Sequence, residues 1–207
     1  IGEAGNSGGS GNNGLFEKRI TSSMDDVEQN QNGNMYTNSS DIELVADGGR
    51  GNQTIGLRYT GVNIPQGATI TKAYIQFTCD ETNTGSTNLT IKGEDVNSSS
   101  AFTTSTYNVS NRTMTSASVN WAPSAWNSVG AAGNNEQTPE LKTIIQEIVN
   151  RSGWSNGNNM AFIITGSGER TAESYDGTSS VAPLLHIEYT EENTPRTEEG
   201  TINRRVA

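Results

Sequence analysis

The chain has 207 residues, a formal charge of −10, one cysteine and one histidine. It therefore lacks the basic clusters that nucleic-acid phosphates require and the Cys/His set that structural zinc requires. No run of eighteen apolar residues exists, which excludes a membrane-spanning helix, and the acidic balance argues against an anionic membrane surface. Apolar residues make up only 31%, with Gly, Asn, Ser and Thr filling the gap, a mixture that suits short strands joined by many turns in one β domain.

Residues 1–14 (IGEAGNSGGSGNNG) have the composition of a linker. Ordering such a segment costs about 1–2 kcal/mol per residue in backbone entropy, so it is expected to order only against another molecule, a second copy being the natural candidate. The first residue is Ile1, with neither a basic nor an apolar leader pattern, and the expectation is a removed signal peptide or a missing start. Residues 15–23 (LFEKRITSS) predict a strand with Phe16, Lys18 and Ile20 on one side. Asp25, Asp26 and Glu28 then cluster before an Asn/Gly-rich turn, read either as a solvated loop or as a cation site. In NSSDIELVAD, Ile42, Leu44 and Ala46 face in, while Asp41 and Glu43 share the opposite parity and repel unless solvated or bridged by a cation.

The most strongly patterned stretch is 53–81. Ile55, Leu57 and Tyr59 alternate with polar residues, and Ala73, Ile75, Phe77 and Cys79 do the same after an Ile64-Pro65-Gln66-Gly67 corner. Residues 86–96 predict a strand with Leu89 and Ile91 inward. The Ser/Thr tract 98–118 predicts loop and edge strand, with Val119 and Trp121 alternating after it. Thr138, Pro139 and Glu140 have the order of a helix start, and Leu141, Ile144, Ile145, Ile148 and Val149 follow a 3.6-residue period, so one packed helix is expected over about 138–152. MAFIIT (160–165) is apolar on both parities and hence a central strand. PLLHIEY (183–189) is the last core strand, with Leu185, Ile187 and Tyr189 inward and His186 outward. The end, 190–207, turns acidic and closes in TINRRVA.

The segments SSMDDVEQN, NSSDIELVAD, QTIGLRYTGVNIPQGATITKAYIQF and GERTAESYDGTSSVAPLLHIEY together resemble the DNRLRE-type module of secreted and cell-surface prokaryotic proteins, over roughly residues 20–189. The resemblance implies an all-β jelly-roll sandwich and, by analogy with related carbohydrate-binding jelly rolls, a structural Ca²⁺ held by Asp25, Asp26, Asp41, Glu43 and Asp176. The terminal segments lie outside it. The whole is therefore expected as an N-terminal arm (1–18), a sandwich (19–189) and a C-terminal arm (190–207).

Asp80/Glu81 and Glu94/Asp95 are carboxylate pairs, but adjacent strand residues point to opposite faces and cannot converge on one bond. His186 has no nucleophile motif around it, so the chain is expected not to be an enzyme. Two roles remain. An open sandwich can accept a strand at its edge, and head-to-tail donation by extended arms builds a fibre. Phe16, Lys18, Ile20, Ile202, Arg204 and Val206 are the candidate assembly residues, with other copies of the chain as partner. The alternative is polysaccharide binding through aromatic stacking, for which Trp154, Tyr175 and Arg170 are the candidates.

Overall fold

The computed structural model describes residues 11–191. Ile202, Arg204 and Val206, and with them the C-terminal arm beyond residue 191, lie outside the described residues.

The strands in chain order are β1 (Asn12–Arg19), β2 (Asp26–Gln29), β3 (Met35–Tyr36), β4 (Asp41–Glu43), β5 (Ala46–Asp47), β6 (Gly51–Asn52), β7 (Thr54–Val62), β8 (Thr69–Gln76), β9 (Cys79–Glu81), β10 (Asn88–Glu94), β11 (Met114–Trp121), β12 (Asn158–Ser167), β13 (Thr171–Glu173) and β14 (Leu184–Glu191). Helix α1 spans Lys142–Val149 and a single turn, α2, spans Tyr175–Thr178. Every strand pairing is antiparallel. This is the expected all-β sandwich.

One layer is a six-stranded sheet in the order β11-β10-β12-β7-β2-β3. Against it pack two three-stranded sheets, β1-β14-β8 and β4-β13-β9. β9 follows β8 with only Phe77 and Thr78 between them, and the side chains of both small sheets enter one core. The proline-glycine corner after β7 therefore carries the chain across the sandwich, since β7 and β8 belong to different sheets and do not pair.

The main core takes alternate residues from each layer: Ile55, Leu57 and Tyr59 from β7, Met160, Phe162 and Ile164 from β12, Ile75 from β8, Leu185 and Ile187 from β14, and Phe16 from β1. β12 is apolar on its second parity as well, because the outer face of the large sheet has a small core of its own. Ala161 and Ile163 there meet Val27, Phe102 and Val109. Phe102, from the Ser/Thr tract, lies directly over Gly56, where a Cβ would sit 2.5 Å from the ring. A residue larger than glycine at 56 would have to push the Phe102 ring aside.

Helix α1 is shorter at its start than the sequence predicts. Thr138 to Leu141 are spent on the exposed side of β8 instead: the Thr138 and Leu141 N–H groups donate to the Ile75 and Ala73 carbonyls (3.0 and 2.8 Å). In return the Ile75 N–H donates to Thr138 Oγ1 at 3.0 Å and the Ala73 N–H to Glu140 Oε1 at 2.6 Å. From the same helix, the Glu147 carboxylate accepts the N–H groups of Ser116 and Ala117 on β11, at 2.7 and 2.8 Å. One helical segment thus covers the adjacent edges of both layers, satisfying groups that would otherwise invite another chain.

Candidate functional site

β2 contains one apolar residue, Val27, yet all four of its residues are buried. It pairs with β7 so that Asp26 stands opposite Leu57 and Glu28 opposite Ile55, which turns both carboxylates toward the sandwich interior. Asp25, just before it, forms a buried ion pair with Arg58 at 2.6 Å, and Arg58 also donates to the Ser99 carbonyl at 3.0 Å.

The five residues expected around one cation do not meet. Asp25 is neutralised by Arg58. Asp26, 6% exposed, accepts the Tyr175 N–H at 2.6 Å through Oδ2, while its Oδ1 has no partner among the described residues. Burial, with added repulsion from Asp176 and Asp25, pushes its carboxyl up to about 7. Asp176 accepts the Ser23 hydroxyl at 2.8 Å. The Tyr59 hydroxyl is likewise buried without a partner, and burial first, then Asp26, raise its pKa.

Glu43 lies in a separate group. Glu28, 1% exposed, accepts the Glu43 N–H at 2.9 Å and the Arg50 guanidinium at 3.2 Å. Burial and the facing Glu43 carboxyl outweigh Arg50 and hold Glu28 well above the carboxylate range. Arg50 itself stacks on the Tyr36 ring and pairs with Asp47 at 3.3 Å.

Asp41 is drawn elsewhere, to Asp80 and Glu81, with one carboxylate oxygen of each within 4.8 Å of the others, so at the end of β9 this adjacent pair does converge, against the expectation from strand alternation. Burial and Asp41 raise the Asp80 pKa. These three offer only oxygen donors, the set that suits a hard divalent cation. The antiparallel pairing of β13 with both β4 and β9 brings them together, a long-range relationship that no spacing in the sequence displays. Of the other adjacent pair, Glu94 accepts from Arg112 and Ser99, and Asp95 from Arg151.

Of the glycan candidates, Trp154 and Arg170 are interior. Trp154 is 2% exposed and its indole N–H donates to the Ile64 carbonyl at 2.9 Å. Arg170, 2% exposed, donates to the carbonyls of Ser124, Gly85 and Pro123 at 3.0, 2.9 and 3.0 Å, fastening loops together. Tyr175 is half-buried at the start of α2. Polar flanking sequence suggests exposed loops for all three, whereas the side chains of two of them are interior and hold backbone carbonyls.

Of the assembly candidates, Phe16 and Ile20 are buried in the main core and Lys18 donates to the Thr60 carbonyl at 2.7 Å. The segment 12–18, expected within an arm, is thus part of β1 in the sandwich. Ile20 donates to the Pro183 carbonyl. By antiparallel alternation the even-numbered residues of β1 bond β14, and the N–H and C=O groups of Asn13, Leu15, Glu17 and Arg19 point away from it. Among the described residues nothing covers that side. Leu15 is 62% exposed, a large apolar side chain beside an eight-residue open edge. The outer face next to it carries Glu17 and Glu188, which flank His186 at 2.7 and 3.0 Å, and the His186 ring stacks on Tyr74.

Searches against protein-family models and against curated proteins find no match for this chain.

Proposed function

We propose that this protein is a non-catalytic, secreted structural subunit that assembles head-to-tail into an extracellular fibre through its terminal segments, with cation-stabilised loops. The observation that carries this reading is the pairing of Asn12 with Glu191: the described chain begins and ends side by side at one end of the β1-β14-β8 sheet, next to the edge that no described residue covers. Two chain ends at one pole, beside an edge that no described residue covers, give the subunit a direction, and a contact between unlike surfaces does not close on itself. The contrast with β8 and β11 supports it further, since those edges are covered by the chain's own residues 138–147, the segment leading into α1 and the helix itself. The experiment is negative-stain electron microscopy of the protein purified without denaturant. Filaments are the expected result, and uniform single particles at all concentrations would refute the proposal.

The carbohydrate-binding alternative retains one observation. A groove of about 360 Å³ crosses the outer face of β1-β14-β8, lined by Leu15, Thr71, His186 and Glu188 among others, beside the Tyr74–His186 stack. Retention on a polysaccharide column that Tyr74→Ala abolishes would favour that reading, and retention unchanged by the substitution would remove it.

A further inference from the structure

We propose that the free side of β1 receives residues 201–206 (TINRRV) of a second copy as an added antiparallel strand. The inference rests on the assembly reading above and names its two contacting surfaces.

Three features of the molecule converge on this pairing. The first is the edge itself. Of the large exposed apolar residues described, Leu15, Met24, Tyr107 and Val129, only Leu15 lies on a strand, and it lies where no described residue pairs with the outward main-chain groups of β1. The second is the segment. In an acidic chain of net charge −10, residues 201–207 contain two arginines, no carboxylate side chain, and an alternation of Ile202 and Val206 with polar residues. Arg204 and Arg205 are adjacent, so whichever parity faces outward, one guanidinium falls on the face that carries Glu17 and Glu188.

The third is reach, which favours a neighbour's edge over the chain's own. The C-terminal segment departs at Glu191, opposite Asn12, at the start of β1. To run antiparallel along its own β1 it would have to begin beside Arg19, roughly 26 Å along the strand and about 10 Å across two strand spacings. The ten Cα–Cα steps from Glu191 to residue 201 span at most about 33–36 Å when fully extended, and they include Pro195 and Gly200. A self-docked antiparallel strand would use most of that length to turn around the edge. A neighbouring copy sets no such limit, and antiparallel addition is the stronger pairing.

The test uses full-length chains with single cysteines added, the native Cys79 being buried. One population carries Leu15→Cys. The other carries Ile202→Cys, Arg204→Cys or Val206→Cys in turn, so that the register is scanned. Oxidation of the mixed populations should give a covalent heterodimer as the main product for at least one position. Crosslinking found only within a chain carrying both substitutions would overturn the proposal in favour of self-docking. Absence of both products would overturn it outright. Filaments that form without any such crosslink would leave the fibre reading standing and this pairing refuted, whereas particles that stay single would count against both. Leu15→Pro provides an independent check, because it removes an outward N–H while leaving the β14 bonds in place. It should raise the concentration needed for assembly about fivefold or more with an unchanged fold by circular dichroism. Unchanged assembly by a folded Leu15→Pro chain would contradict the proposal.

Discussion

Asn12 and Glu191 stand opposite each other on the outermost rung between the first and last strands, so the chain enters and leaves the sandwich at the same place. Among the described residues, both cores are built between these two positions, from Phe16 to Tyr189. A chain cut to residues 11–191 should therefore unfold cooperatively, with a midpoint within a few degrees of the full chain in the monomeric state. Thermal unfolding followed by circular dichroism checks this, and loss of a cooperative transition would show that the terminal segments contribute to the fold itself.

Asp26 and Glu28 predict how stability varies with pH. Both carboxyls have folded-state pKa values above their ordinary ones, Asp26 rising from 3.8 to about 7 and Glu28 rising further from 4.5. A raised carboxyl contributes stability that is present in full below its ordinary pKa and is lost as pH climbs through the folded value. Urea unfolding should thus show declining stability from about pH 5 to about pH 9. Glu28→Gln, which keeps an acceptor for the Glu43 N–H, should flatten that decline. A stability that rises with pH over this window would contradict the assignment.

The Asp25–Arg58 pair is buried on both sides, so removing one partner strands a charge in the interior. Asp25→Ala should cost about 3–5 kcal/mol in urea unfolding, and Asp25→Ala/Arg58→Met should recover a large part of it. A loss under about 1 kcal/mol would place the pair in solvent.

Trp154 offers a test that separates packing from recognition. Its indole fills the core and satisfies the Ile64 carbonyl, so Trp154→Ala should destabilise by about 3–5 kcal/mol. Trp154→Phe should cost less and leave any polysaccharide retention unchanged. Retention abolished by Trp154→Phe in a folded protein would restore this residue as a contact.

Asp41, Asp80 and Glu81 make the cation dependence specific. If these carboxylates hold Ca²⁺, millimolar calcium should raise the unfolding temperature and Asp80→Asn should remove the rise. No calcium effect on the melt of the native protein would remove the cation from the account.

Much of the fold was legible where burial follows period. The alternation in β7, β8, β10 and β14 and the two-sided apolar run of β12 identify these strands directly, because each sits on a packed face. β2 was not legible: its inward residues are acidic, and an alternation of carboxylates looks like solvated loop until partners such as the Tyr175 N–H and Arg50 are in place. The helix start was displaced for a related reason. Thr138 and Glu140 have the chemistry of helix caps, but the same groups serve a strand edge 63 and 67 residues away in sequence. At the candidate sites, residue type identified polarity and not depth. Trp154 and Arg170 sit in polar stretches and are nevertheless interior, and Asp41 finds Asp80 and Glu81 only through β13.

The account turns on whether the terminal segments join one copy to the next. Sedimentation velocity on the full chain beside its 11–191 form, over a hundredfold range of concentration, measures this most directly. The full chain should shift to large, concentration-dependent species while the shortened chain remains a folded monomer. A full chain that sediments as a monomer throughout, or a shortened chain that polymerises equally well, would contradict it.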